Sequence, residues 1–244
     1  MIQDLHSHTY YSYCGKDSPE DVIKNAISKG VELVGISDHN YGIVMNKPGF
    51  LYESEEEKVH MHSCAIKRYY EHIKTLAEKY KDYIDVWCGI EIATDDFGYM
   101  PLADGVDVSM FDYCLIEHLQ DKETTVSDVF SFAGRLGCKR IGLAHMDLPE
   151  YIESRGFDMD SFLKKMKEHN IFWELNVNYD SIHGFREHEY VNNFFSDDKL
   201  CDAIRKSGIK MSVGFDGHRL EDYDAQRVID ACRKLEELSI PMIK

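Results

Sequence analysis

The feature that most constrains the fold is an alternation. Short apolar runs of strand length recur along the chain, and most of the longer stretches between them carry the apolar spacing of an amphipathic helix. The strand candidates are residues 2–5, 33–36, 84–90, 113–116, 141–144, 172–175 and 210–213. A first helix is signalled by Ser18 as cap and Pro19 in its first turn, with Gly30 as its stop. Helical patterns follow at 59–80, 126–136, 159–169 and 198–207, and Gly137 and Gly208 stop two of them. Strands that are each followed by a loop and usually a helix predict an α/β fold with a parallel sheet, and closing that sheet into a barrel is the economical way to bury it. Seven β/α units in a single domain over residues 1–244 are therefore expected, with 40–56 and 94–108 long enough to be active-site loops.

Composition excludes several classes of function. A net charge of −16 opposes binding to a long nucleic acid, which draws on clustered Lys and Arg. No apolar segment approaches the roughly 20 residues needed to cross a bilayer, and no leader pattern opens the chain, so a protein that is neither membrane-bound nor secreted is expected. The seven cysteines are scattered without a C-x-x-C pair, which suits reduced thiols and a cytoplasmic location. The sequence sets no oligomeric state.

The chemistry-bearing residues are concentrated where the strands end. His6 and His8, His39, Glu91, His118, His145, and finally Asp216 with His218 follow or close successive strand candidates. In a parallel barrel those ends converge on one face. His6 and His8 are two apart in an extended segment, so both imidazoles point the same way and can share a metal. His60, His62, His72 and His169 fall in helices or at their ends and read as surface residues, while His183 and His188 lie in the loop after the sixth strand, as solvated groups or substrate contacts. Glu91 and Asp216 add carboxylates, and a mixed carboxylate and imidazole set suits Zn, Mn or Fe, with one carboxylate able to bridge two ions. Such a centre favours hydrolysis by a metal-bound hydroxide.

The motifs His6-Ser7-His8, Ser37-Asp38-His39, Gly89-Ile90-Glu91, His118, Ala144-His145 and Gly214-Phe215-Asp216-Gly217-His218, taken in order, resemble the PHP (polymerase and histidinol phosphatase) superfamily nearly end to end. The resemblance implies a distorted (β/α)7 TIM-like barrel and a site for two or three divalent transition-metal ions. It places His6, His8, Glu91 and Asp216 around the first ion, Glu91 with His118 and His145 around a second, and His39 with His218 around a third. Where histidinol-phosphatase-like members carry a further His or Asp ligand, this sequence has Cys14. Cys14 is either a thiolate ligand favouring zinc or a small apolar residue beside the site. Cys88, Cys114 and Cys232 read as core residues.

The stretch Trp173-Glu174-Leu175-Asn176, followed by Gly184-Phe185-Arg186, resembles the substrate-holding region of that family, with Arg186 as the phosphate ligand and Arg219 its rival. Asp38 or a metal-bound water would assist protonation. The expected function is hydrolysis of a small-molecule phosphate monoester, with histidinol phosphate foremost. The alternatives are a nuclease or phosphodiesterase on short nucleotides, an amidohydrolase-type C–N hydrolase, and a non-catalytic metal-bound module.

Overall fold

The structure is a computed structural model and describes residues 1–44, 52–95 and 101–244. The strands are β1 (Gln3–Asp4), β2 (Leu33–Ile36), β3 (Asp85–Ala93), β4 (Tyr113–Glu117), β5 (Ile141–Leu143), β6 (Ile171–Asn176) and β7 (Met211–Gly214). They form one sheet in sequence order, and every adjacent pair is parallel. The last strand returns to the first: Leu5 N–H donates to Val213 O at 2.9 Å, Asp216 N–H to His6 O at 2.7 Å, and His8 N–H to Gly217 O at 2.8 Å. Seven parallel strands in a nearly closed barrel is the architecture that the alternation predicts.

Helix starts follow their caps. Helix α1 (Pro19–Ser28) begins after Ser18, whose hydroxyl accepts from Asp21 N–H. The short helix α2 (Asn40–Ile43) follows β2. Helix α3 (Glu55–Tyr80) starts earlier than the apolar pattern suggested, because Ser54 caps it and Glu55, Glu56 and Glu57 occupy its dipole-favoured first turn. Conversely, α4 (Val129–Leu136) starts later than expected, at the cap Asp128. Next come α5 (Leu148–Ser154), α6 (Met159–Glu168), α7 (Glu189–Ser196), α8 (Asp198–Ser207) and α9 (Ala225–Glu237). Parts of both expected active-site loops, residues 45–51 and 96–100, lie outside the described residues.

Two apolar layers hold the barrel. The larger one lies between the strands and the helices, and a smaller one comprises Leu5, Leu33, Tyr113, Leu115, Ala144, Phe172 and Ile243. Tyr113 and Phe172 are large rings, and their neighbouring strands make room with glycine. A Cβ at Gly35 would stand 2.1 Å from Tyr113 Oη, one at Gly89 2.3 Å from Tyr113 Cζ, and one at Gly142 2.5 Å from Phe172 Cε2. Alternating large and small residues fill a small barrel without voids.

One sequence reading is corrected. His62 is fully buried rather than on the surface, and its Nδ1 accepts from Ala103 N–H at 3.2 Å, so it is a hydrogen-bonded interior group. Cys114 is a fully buried core residue as expected, with its sulfur against that of Cys138. Among the described residues, no helix is long and apolar enough to cross a membrane.

Candidate metal centre

The parallel register converges the side chains that the sequence singled out. Ser7 pairs with Gly217 and His39 with Glu91 through isolated parallel bridges, which set His6 and His8 beside Asp216 and His39 beside β3. Glu91 lies inside β3 rather than at its end, because that strand continues to Ala93. Three candidate ligands sit just beyond strands with left-handed backbone: His118 (φ 63°), His145 (φ 30°) and Asp216 (φ 55°). Such strained conformations cluster at functional sites, where the surrounding structure holds a side chain inward.

At the centre, His6 Nε2 and His8 Nε2 are 3.1 Å apart. Glu91 Oε1 lies 3.1 Å from the first, and Asp216 Oδ1 3.0 Å from the second. The same glutamate reaches outward on both sides, with Oε1 3.2 Å from His145 Nε2 and Oε2 2.8 Å from His39 Nδ1. Glu91 is fully buried, yet among the described residues its Oε2 has no hydrogen bond of proper geometry. Beside it stands Glu117, which the sequence reading missed: its Oε1 lies 3.0 Å from His39 Nδ1 and its Oε2 3.0 Å from His118 Nε2.

The electrostatics are those of a site that wants cations. Burial pushes Glu91 up, but His6, His39 and His145 outweigh it and hold the carboxyl well below its ordinary range. Asp216 is likewise held well below, its burial outweighed by His6, His218 and His8. Burial, helped by repulsion from His39 and His218, drives His8 down to about 3. Burial opposes charging His218, but Asp216 and Asp180 carry it up to about 10. Buried imidazole nitrogens facing one another around an unsatisfied carboxylate oxygen fit divalent ions, which replace a shared proton and satisfy every donor atom at once.

The outer nitrogens of the imidazoles are also held. His6 Nδ1 lies 2.8 Å from Glu174 Oε1, and His8 Nδ1 3.1 Å from Ser12 Oγ. Glu174, read from sequence as part of a substrate-holding strand, therefore orients His6, and its Oε2 also accepts from His145 N–H at 2.8 Å. Outer partners of this kind typically tune metal affinity 10–100-fold. Glu174→Gln is expected to weaken metal binding by about that factor while the chain stays folded, as titration calorimetry of the stripped protein would show; unchanged affinity would refute the role.

The remaining candidates divide. Cys14 stands with His8, His39 and His218, their ligand atoms all within 4.8 Å of one another. Asp38 is fully buried and engaged, accepting from Thr9 N–H at 2.6 Å, Thr9 Oγ1 at 2.8 Å and Ser12 Oγ at 2.7 Å. That geometry braces the turn carrying His8. Arg219 is half-buried beside His218, with Nη1 3.4 Å from Ser181 Oγ. Arg186 is exposed and forms no hydrogen bond or ion pair with the described residues. His183 and His188 are partly exposed but reach the cluster: the His183 ring packs 5.2 Å from that of His218, and His188 stacks 6.2 Å from His145.

Fold and site together define a parallel β/α-barrel protein with a cluster of imidazoles and carboxylates, fit for several metal ions, at the C-terminal ends of its strands. The PHP domain family model matches residues 4–113, the segment that contains His6, His8, His39 and Glu91. A probable phosphatase of Caldanaerobacter subterraneus subsp. tengcongensis is 24% identical over 253 residues, covering 99% of this chain and 85% of that protein. A probable phosphatase of Acetivibrio thermocellus is 23% identical over 249 residues, covering 99% and 88%. Among solved structures, a histidinol phosphate phosphatase from Lactococcus lactis subsp. lactis, complexed with zinc, L-histidinol and phosphate, shares the fold. It matches with a TM-score of 0.62 at 16% identity, over 99% of this chain and 95% of that one.

Proposed function

We propose that the protein is a phosphoric ester hydrolase that releases phosphate from a small-molecule monoester at a cluster of two or three divalent transition-metal ions. The observation that carries this reading is Glu91: fully buried, both of its oxygens within 3.4 Å of imidazole nitrogens, and one of them without a hydrogen bond among the described residues. In this reading His6, His8, Glu91 and Asp216 would hold the first ion, and Glu91, His118, His145 and Glu117 a second. His39, His218 and Cys14 hold a third. Bound Zn, Mn or Fe would supply acidified water and positive charge towards the phosphoryl group.

The chain's own residues do the rest. Glu174 and Ser12 fix the orientation of His6 and His8, and Asp38 holds the turn on which Ser12 and His8 stand. Arg219, beside His218, and Arg186, which has no competing partner among the described residues, are the cationic groups for the phosphate, by bidentate hydrogen bonds. Histidinol phosphate is the first ester to offer, because the motifs resemble the histidinol-phosphatase branch and a protein of that name shares the fold.

The test uses one preparation, purified without chelators. Its metal content would be measured, and it would be assayed on p-nitrophenyl phosphate, a phosphodiester analogue and histidinol phosphate, before and after metal stripping. Two or three ions per chain with metal-dependent release from monoesters is the expected result. Loaded protein inert on every ester would sink the proposal, and preference for the diester would move it to short nucleotides.

A further inference from the structure

Three imidazoles assigned above to the metal centre share a two-ended arrangement. His6 turns Nδ1 to Glu174 Oε1 (2.8 Å) and Nε2 inward to Glu91 Oε1 (3.1 Å). His118 turns Nδ1 to Asp121 Oδ2 (2.7 Å) and Nε2 to Glu117 Oε2 (3.0 Å). His218 turns Nδ1 to Asp180 Oδ2 (3.2 Å) and Nε2 towards Asp216 Oδ1 (3.8 Å). A carboxylate that takes the Nδ1 proton leaves the Nε2 lone pair to face an ion, the usual setting of a metal-binding histidine.

A fourth imidazole, outside the motifs, repeats the pattern. His183 turns Nδ1 to Asp180 Oδ1 at 2.9 Å, and its Nε2 points back to Asp216 Oδ2 at 3.9 Å. Asp180 is fully buried, and its two oxygens take one imidazole each, Oδ1 also accepting from His183 N–H at 2.9 Å. Two donor atoms each about 2.0–2.2 Å from one ion lie no more than about 4 Å apart, so both Nε2 positions stand within sharing distance of the Asp216 carboxylate.

We propose that His183, on the segment between β6 and α7, is a further metal ligand, and that Asp180 is the shared positioning residue that turns His183 and His218 towards the centre. The His183 side chain is 37% exposed, against 4% for His218 and 0% for His6. It is the most exposed of the four imidazoles, with His118 at 24% next. This inference rests on reading the barrel mouth as a metal centre.

The test compares full-length wild type, His183→Ala and the bulkier His183→Gln, each stripped and titrated with Co²⁺. The expected result is a 10–100-fold loss of affinity for the most weakly held ion in both variants, with one fewer hyperfine-shifted, exchangeable imidazole N–H resonance. Asp180→Asn, which has one carbonyl oxygen for two imidazoles, is expected to weaken the same ion at least as much. Variants with the wild-type affinity and the full set of shifted resonances would overturn the inference and leave the hydrolase reading standing. A wild type that takes up no cobalt would overturn both.

Discussion

Glu91→Gln is expected to lower turnover on a phosphate monoester by on the order of 10³-fold, about 4 kcal/mol of activation free energy, with the fold intact. The glutamate touches four imidazoles of the cluster: Oε1 lies between His6 and His145, and Oε2 between His8 and His39. Glutamine keeps the volume but removes the negative charge and replaces one oxygen with an amide nitrogen that cannot bind a cation. Metal content should fall in parallel. Circular dichroism and thermal unfolding of the stripped proteins separate the two causes of loss, since a variant that merely unfolds loses its transition as well. Wild-type turnover in Glu91→Gln would end the bridging assignment.

The second large effect is on stability. Tyr113→Ala should destabilise the chain by about 3–5 kcal/mol, because a fully buried ring is deleted from a barrel interior whose neighbours cannot follow it inward. Gly35 and Gly89 face that ring and have no side chain to refill the space. The hydroxyl also matters: Tyr113 Oη donates to Leu5 O at 2.7 Å, just before His6 and His8 in the segment that follows β1. Tyr113→Phe, which keeps the ring, should cost about 1–3 kcal/mol through the buried carbonyl left without its partner. Denaturant unfolding of the three proteins measures both. An alanine variant no less stable than the phenylalanine one would show that the ring does not fill the barrel.

Most of the framework was legible before any coordinates, because the signals are local. Apolar runs, caps and glycine stops mark each β/α unit, and seven parallel strands have few ways to bury both faces. Their ends then meet on one side, so His6, His8, His39, His145 and Asp216 could be placed together from sequence position alone.

Glu117 shows where that reasoning stops. Period-2 alternation sends neighbouring side chains of a strand to opposite faces, so once His118 is taken as inward, Glu117 is excluded. Both reach the cluster because His118 leaves the strand with φ 63°, a conformation that no residue pattern announces. His62 was misplaced for a related reason: helical spacing gives a face, and which face is covered depends on Ala103, 41 residues away in the chain.

Asp180 and His183 are the clearest case. Nothing in an irregular stretch after β6 separates a solvated histidine from one held by a buried carboxylate. The partner that decides it, His218, lies 38 residues from Asp180. Periodicity and turn chemistry act over a few residues, and they set strands, helices and the face on which the site is built. The reach of each oxygen and nitrogen across the barrel mouth depends on packing between segments far apart in the chain, and only the closed barrel brings those atoms to within a metal ion's span.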